Sequence, residues 1–391
     1  MRKLLRRLNS KISSLFLVVF LGAGLLNYSY AFEISSSRFS YFKGKSCKNV
    51  FNSPKMNSID PLLLTLSGTQ WPTDVVRDGL KVMELNSKNF GVPPEKNEHE
   101  MTNGFESFQK TKENLESLEK LIETNNPALI VLIEVYNKET MVSFDKEFLK
   151  DKYEEILIEG NDGRSVDLGL WVRKDLPIEI EIHTHKNLVN SATNHLIFSR
   201  DLPTYIIREK RDGTVAKNPF LILQGTHYKS QRGDDPKDPG SDLKRREQSD
   251  ATAELIVQYE RMYPKTPIAV VGDFNNEMRA NRSPEFSALR ILPMHDAFDV
   301  APDTVPESER VTHYFFPKGE PVKTSQMDTM LINDEGVNKK VLKSAKVLHH
   351  LTASGEEIPS PNTFRQREKQ LSDHKPTLYI FDLENLLAED P

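Results

Sequence analysis

From Leu80 onward the chain falls into apolar runs separated by polar stretches, and the runs are of two kinds. Short ones rich in Val, Ile and Leu predict strands at Lys81–Leu85, Ala128–Val135, Val166–Val172, Phe220–Thr226, Ile268–Val271, Thr329–Ile332 and Thr377–Phe381. Two longer stretches show helical spacing. One spans about Phe105–Thr124, with Phe108, Leu115, Leu118, Leu121 and Ile122 in phase, and the other about Asp242–Met262, with Leu243, Leu255, Ile256 and Tyr259. The run ALIVLIEV at Ala128–Val135 is nearly continuous in apolar character, as a strand covered on both faces would be. Strands of this kind with flanking helices imply an α/β architecture, and the pattern alone leaves open one parallel sheet or two stacked ones.

Ahead of that region, residues 32–78 are rich in Ser, Asn and Pro and weakly periodic apart from Leu62–Leu66. They are expected to form an N-terminal extension to a domain over residues 79–385, with 386–391 as a tail. The 391 residues, 37% apolar and 28% charged, suit a sizeable core, and the absence of repeats or low-complexity tracts excludes solenoid and disordered classes.

The opening residues bear on where the protein works. Arg2, Lys3, Arg6, Arg7 and Lys11 precede the apolar run Leu15–Leu26 and then Ser29-Tyr30-Ala31. The run is shorter than the roughly 20 residues needed to span a bilayer, and small residues stand where a signal peptidase cuts, so residues 1–31 are expected to be a signal peptide and the protein exported, periplasmic or extracellular. The alternative is an uncleaved anchor. Removing five basic residues makes the remainder more acidic than the whole chain's −5, so a polyanion could be bound only through a local basic patch or bound cations. Cys47 is the single cysteine; it excludes an intramolecular disulfide and lacks the His and Asp company of a nucleophile.

Candidate chemistry sits where polar residues interrupt the apolar runs. Glu134 ends ALIVLIE, and a carboxylate there is costly to bury unless paired or metal-bound. Asp273 and Asn275 follow the strand IAVVG two residues apart, on the same side in extended geometry. His227 and Lys229 close FLILQGTHYKS with the same spacing, and Asp373 and His374 stand together just before the last strand. Singly, each has a bland explanation in turn chemistry, capping or a surface imidazole. Together, carboxylates, an amide and two imidazoles at strand ends are what hard-cation binding and phosphoryl chemistry require. His183 with His185 lacks a third ligand and is expected on a solvated face, and His349-His350 in a polar loop. Lys229, Arg232, Arg245 and Arg246 offer local positive charge, and the Pro- and Gly-rich loop that begins at Arg232 could wall a cleft.

The ordered set Asn86 in VMELNSKNF, Glu134 in LIVLIEV, His227 in GTHYKS, the GDFN of Gly272–Asn275, Asp328 in QMDTMLI and the SDH of Ser372–His374 resembles the endonuclease/exonuclease/phosphatase superfamily over about Leu80–Leu383. Pancreatic-type DNase, abasic-site endonucleases, neutral sphingomyelinases and inositol polyphosphate phosphatases belong to that superfamily. The resemblance implies an α/β fold, a four-layer α/β/β/α sandwich of two packed mixed sheets with the site at one end. It implies Mg²⁺, or Mn²⁺ or Ca²⁺, held by Glu134, Asn86 and Asp373. Asp273 would hold or deprotonate the attacking water, Asn275 orient the phosphate, and His374 serve as acid, base or charge stabiliser. His227 would contact the phosphate, fixed by Asp328. Arg164, Arg200 and Lys229 resemble substrate-binding positions.

The expected activity is metal-dependent phosphodiester hydrolysis, on DNA or RNA, with no obligate protein partner. The alternatives are a lipid, inositol or other small phosphoester as substrate, and a catalytically silent binding module. Three positions depart from the family pattern: Gly225 where Asn is common, Thr329-Met330 where Tyr-Ile is common, and Ser165 where a second Gly follows the Arg.

Overall fold

The computed structural model describes residues 61–91, 111–233, 235–278 and 283–388. The expected signal peptide, Cys47 and the Phe105 and Phe108 end of the first helix lie outside them. One compact unit comprises Lys55–Val189 and His195–Pro391; of the second unit, only the turn Asn190–Asn194 is described, where Asn190 Oδ1 accepts from the amides of Ala192 and Thr193. No helix among the described residues is long and apolar enough to cross a membrane.

The compact unit is built on two large mixed sheets. In the six-stranded sheet β2 (Leu80–Phe90) and β3 (Leu129–Val135) pair in parallel, flanked by β4 (Tyr153–Ile158), β5 (Asp167–Arg173), β15 (Leu342–Val347) and β16 (Thr377–Phe381) in the order β15-β16-β2-β3-β5-β4. The eight-stranded sheet has the path β1 (Leu62–Thr65), β6 (Ile178–His183), β7 (Thr204–Arg211), β9 (Leu221–His227), β10 (Ile268–Asp273), β14 (Asp328–Asn333) and β11 (Met294–Asp296), with β8 (Thr214–Val215) paired to β7. Its central pair β9/β10 is parallel, and its other pairs are antiparallel. The small hairpin β12 (His313–Phe315) and β13 (Lys323–Ser325) stands apart.

Alternation along each strand decides what packs where. Leu129 and Val131 of β3 face inward with Leu221, Leu223, Ala269 and Val271 of the other sheet, while Ile130 and Leu132 face outward. That two-sided burial is why ALIVLIEV reads as continuous. The outward face is covered by α2 (Lys112–Asn125) through Leu118, Leu121 and Ile122 and by α3 (Lys138–Phe144) through Met141 and Phe144. Thr111 caps α2 with a reciprocal Asn114 bond. Beyond the other sheet lies α4 (Asp242–Met262), whose Tyr259 hydroxyl is 2.9 Å from His183 Nδ1 on β6. The layers therefore run α, β, β, α, as the resemblance implies.

Two expectations are corrected. Leu62–Thr65, assigned to the extension, forms β1 against β6, and α1 (Thr73–Asp78) follows it, so the folded unit starts ahead of Leu80. His183 and His185 do not lie on a solvated face. His183 Nε2 is 2.7 Å from Glu181 Oε1, and His185 is buried, its amide donating to Asp201 Oδ1 at 2.6 Å and its Nε2 lying 3.2 Å from Thr204 Oγ1.

Burial pulls the His185 imidazole down to about 3. A base depressed in the fold binds its proton more readily in the unfolded chain, so this residue erodes stability as pH falls from about 6.5 toward about 3. His185→Ala is expected to flatten the acid limb of the stability curve and to cost about 1–3 kcal/mol at neutral pH through lost hydrogen bonds. Urea melts across pH check both, and kcat is expected to stay unchanged.

Candidate active site

Both parallel pairs end at the same edge of the sandwich, and that edge collects the polar residues. In β9/β10 the register sets Asp273 beside His227, and in β10/β14 it sets Asp273 beside Asp328. In β2/β3 it sets Asn86 beside Ile133, next to a bulge that leaves Glu134 unpaired in the ladder at φ +62°. That left-handed backbone is uncommon for Glu and releases the side chain from strict strand alternation. Gly272 is required for a related reason: at φ +144° a Cβ there would lie 2.0 Å from the Thr226 carbonyl oxygen.

The carboxylate of Asp273 is the hub. Its Oδ1 accepts from the Asn275 amide at 2.7 Å, and its Oδ2 accepts from Asn86 Nδ2 at 3.0 Å and Asn275 Nδ2 at 3.2 Å. His227 Nε2 lies 3.7 Å from Asp273 Oδ2 and 3.8 Å from Glu134 Oε1. His374 Nε2 is 4.0 Å from Asp273 Oδ2. Burial, with Asp328 reinforcing it against the opposing pull of His374, pushes the Asp273 carboxyl up to about 7.

The imidazoles are in opposite states. Burial and the nearby Arg200 and Arg164 hold His227 well below the ordinary histidine value, so it is neutral. Burial also pulls on His374, but Asp328 and Asp273 outweigh it and hold that imidazole well above its ordinary value. His374 Nδ1 donates to Asp328 at 2.8 Å. The expectation that Asp328 fixes His227 is thereby corrected: His374 is its partner, because β14 starts directly across from Asp273 on the side where the SDH turn enters β16.

The other expected residues take varied places. Asp373 pairs with Arg367 at 3.3 Å and with Lys88 at 3.8 Å; despite burial, His374, Lys88, His313 and Arg367 bring it down to about 2. Half-exposed Arg164 reaches to 3.7 Å from Glu134 Oε1 and binds Asp162, which also pairs with buried Arg200 at 2.8 Å. Lys229 stands at the site's border, half-buried. Arg245, expected on a basic substrate strip, is instead 1% exposed and bound to Glu285, so only Arg232 and Arg246 of that group are openly exposed. His350, expected in a polar loop, is buried with Nε2 2.8 Å from the His374 carbonyl oxygen.

Two residues escape sequence reasoning. Glu84 is fully buried behind the site, its Oε2 accepting from Thr377 Oγ1 at 2.8 Å, and burial with Asp328 nearby raises its carboxyl well above the usual range. The interrupting Glu in VMELN was its only signal. The His313 ring packs 4.6 Å from the His374 ring across an isolated bridge, which no sequence pattern announces.

No family model and no curated protein matches the chain. Solved structures do. A truncated TDP2 from Caenorhabditis elegans is similar at 15% identity and TM-score 0.46, over 77% of this chain and 97% of that one. An endonuclease/exonuclease/phosphatase from Bacteroides vulgatus is similar at 17% identity and TM-score 0.46, over 78% and 99%. A mannosyl-6-phosphatase from Bacteroides thetaiotaomicron VPI-5482 is similar at 13% identity and TM-score 0.48, over 77% and 99%.

Proposed function

We propose that the protein is an exported, divalent-metal-dependent phosphodiesterase of the endonuclease/exonuclease/phosphatase type, acting on DNA or RNA. One observation carries the reading: the ends of two parallel strand pairs bring Asn86, Glu134, His227 and Asp273 against the Asp328–His374 pair in a buried cluster. Pure packing gives no reason to bury so many polar groups together.

The donor set fits a hard cation. Oxygens of Glu134 and Asp273 converge on one neutral imidazole nitrogen, and burial, reinforced by Asp328, raises the Asp273 carboxyl to about 7, a cost that a nearby cation would offset. Asp273, Asp328 and His374 also offer atoms within 4.8 Å of one another, but the imidazole of that trio is held protonated, so Glu134 and the Asn86 amide oxygen are the better ligands and Asp273 stays free to act as base. When bound, Mg²⁺ or Mn²⁺ would neutralise charge growing on the phosphate oxygens.

The chain's own groups do the rest. Asp273, held beside His227, Asn86 and Asn275, takes the proton of the attacking water. As the water oxygen bonds to phosphorus and the P–O bond to the leaving group breaks, His374, charged through Asp328, gives its Nε2 proton to the departing oxygen, and Asn275 and neutral His227 orient the phosphoryl group. Activity outside the cytoplasm rests on the basic, apolar and small-residue order of residues 1–31.

A metal-supplemented screen of the protein over DNA, RNA, sphingomyelin and phosphomonoesters tests the reading, with EDTA as control. No turnover of any of them would overturn it. A small phosphoester is the second reading, favoured by the acidic chain and by the withdrawal of Arg245 from the surface.

Salt separates the two. Polymer cleavage is expected to fall steeply with salt as each phosphate contact releases counterions, and Arg246→Ala to flatten the log–log slope by about one unit. Cleavage of duplex, single strand and bis(p-nitrophenyl) phosphate over a salt series reads this out. Turnover of the small probe alone, with no nicking at any salt, moves the assignment to the small substrate.

A further inference from the structure

The two residues that follow His227 have every backbone hydrogen-bonding group engaged. Tyr228 donates its amide to Asp273 O at 3.0 Å, and its carbonyl accepts from Arg200 Nη1 at 3.0 Å and Asn275 Nδ2 at 2.9 Å. Lys229 donates its amide to Gln248 Oε1 at 2.8 Å, and its carbonyl accepts from Arg245 Nη1 at 3.2 Å. Both of the last two partners come from the N-terminal half of α4.

Arg245 reaches further. Its Nη1 also donates to Gly240 O at 2.9 Å, its Nε to Glu285 Oε1 at 3.2 Å, and its Nη2 to Asp242. Glu285 is itself buried, and the same Oε1 accepts from Asn276 Nδ2 at 2.8 Å. One guanidinium therefore ties the segment after His227 to the residue after Asn275. From this geometry we infer that Arg245 is a positioning residue that sets His227 and Asn275 relative to each other.

Burying a guanidinium is costly, and an apolar side chain of similar volume would fill the space at no such cost. What only arginine supplies is a planar fork of donors pointing at several acceptors at once. A displacement of an ångström at a reacting group is enough to lower turnover strongly while substrate contacts survive, so the signature is in kcat rather than KM.

The inference deepens the proposed phosphodiesterase reading, and its test keeps the two apart. Wild-type turnover of bis(p-nitrophenyl) phosphate with Mg²⁺ or Mn²⁺ is measured first; its absence overturns that reading alone. Arg245→Lys keeps the charge but cannot span the four acceptors, and is expected to lower kcat at least about tenfold with KM within about threefold. Arg245→Ala is expected to regain kcat several-fold with millimolar guanidinium. Leu255→Ala, which truncates a buried apolar residue of the same helix, is expected to lower the melting temperature without lowering kcat.

A readout free of turnover accompanies these. The His227 ring resonance, assigned by its loss in His227→Ala, is expected to move in Arg245→Lys while that of His185 stays. If Arg245→Lys does not fold, Glu285→Gln takes its place with the same expectations. An unmoved His227 resonance, or a kcat loss equalled by Leu255→Ala at the same loss of melting temperature, would overturn the inference.

Discussion

Asp273→Asn is expected to lower turnover at least about a thousandfold, within the range for losing a positioned base, while costing the metal-free protein less stability at pH 8 than at pH 6. The amide oxygen can still accept from the Asn275 amide, but no proton can be taken from water. The stability half follows from the sign of the shift. A carboxyl raised from 3.8 to about 7 holds its proton more tightly in the fold, so what it contributes is present below 3.8 and lost as pH rises through about 7. Above that value the ionised, buried Asp273 opposes folding, and asparagine removes the opposition. Thermal melts in EDTA at pH 6 and pH 8 and kcat at saturating metal check the two halves. Retained turnover would remove Asp273 from the role of base.

The second large effect is expected from Asp328→Asn. Turnover falls about 10²–10⁴-fold, because His374 loses its charge partner and an NH2 group replaces one of the two carboxylate oxygens that face its Nδ1. Stability falls as well, by about 3–5 kcal/mol, the scale for leaving one member of a buried pair alone. Here the pH sign is opposite in origin. A histidine raised in the fold stabilises fully below its unfolded value of 6.5, and that stability is lost as pH climbs through the folded value. The deficit of Asp328→Asn is therefore expected to be largest at and below pH 6.5 and to shrink in alkaline solution. Denaturant melts at pH 6 and pH 10 measure it. A deficit that grows with pH would show that His374 is neutral in the fold.

Several elements were legible from the pattern of residues alone. The run at Thr377–Phe381 is a strand with those bounds, and α4 spans Asp242–Met262 as its spacing predicts. ALIVLIEV named a strand buried on both faces because burial on two sides suspends the polar alternation. The strand β6 carries a plain period of two in IEIEIH, yet its Glu and His residues kept it from standing out as an apolar run. β1 was less legible still: two of its leucines are exposed, and its position comes from pairing with β6.

Which chemical groups would stand at strand ends could be read along the chain, since a carboxylate, amide or imidazole that interrupts an apolar run has few other places to go. Their partners follow from how the sheets pack. Asp328 binds His374 rather than His227, Asp373 answers to Lys88 and Arg367, and Arg245 turns inward to hold backbone instead of facing a substrate. The reason is register. Which strand end meets which depends on two parallel pairs, one bulge at Glu134 and the packing of two sheets, contacts between residues up to 293 positions apart that leave no mark in any local pattern.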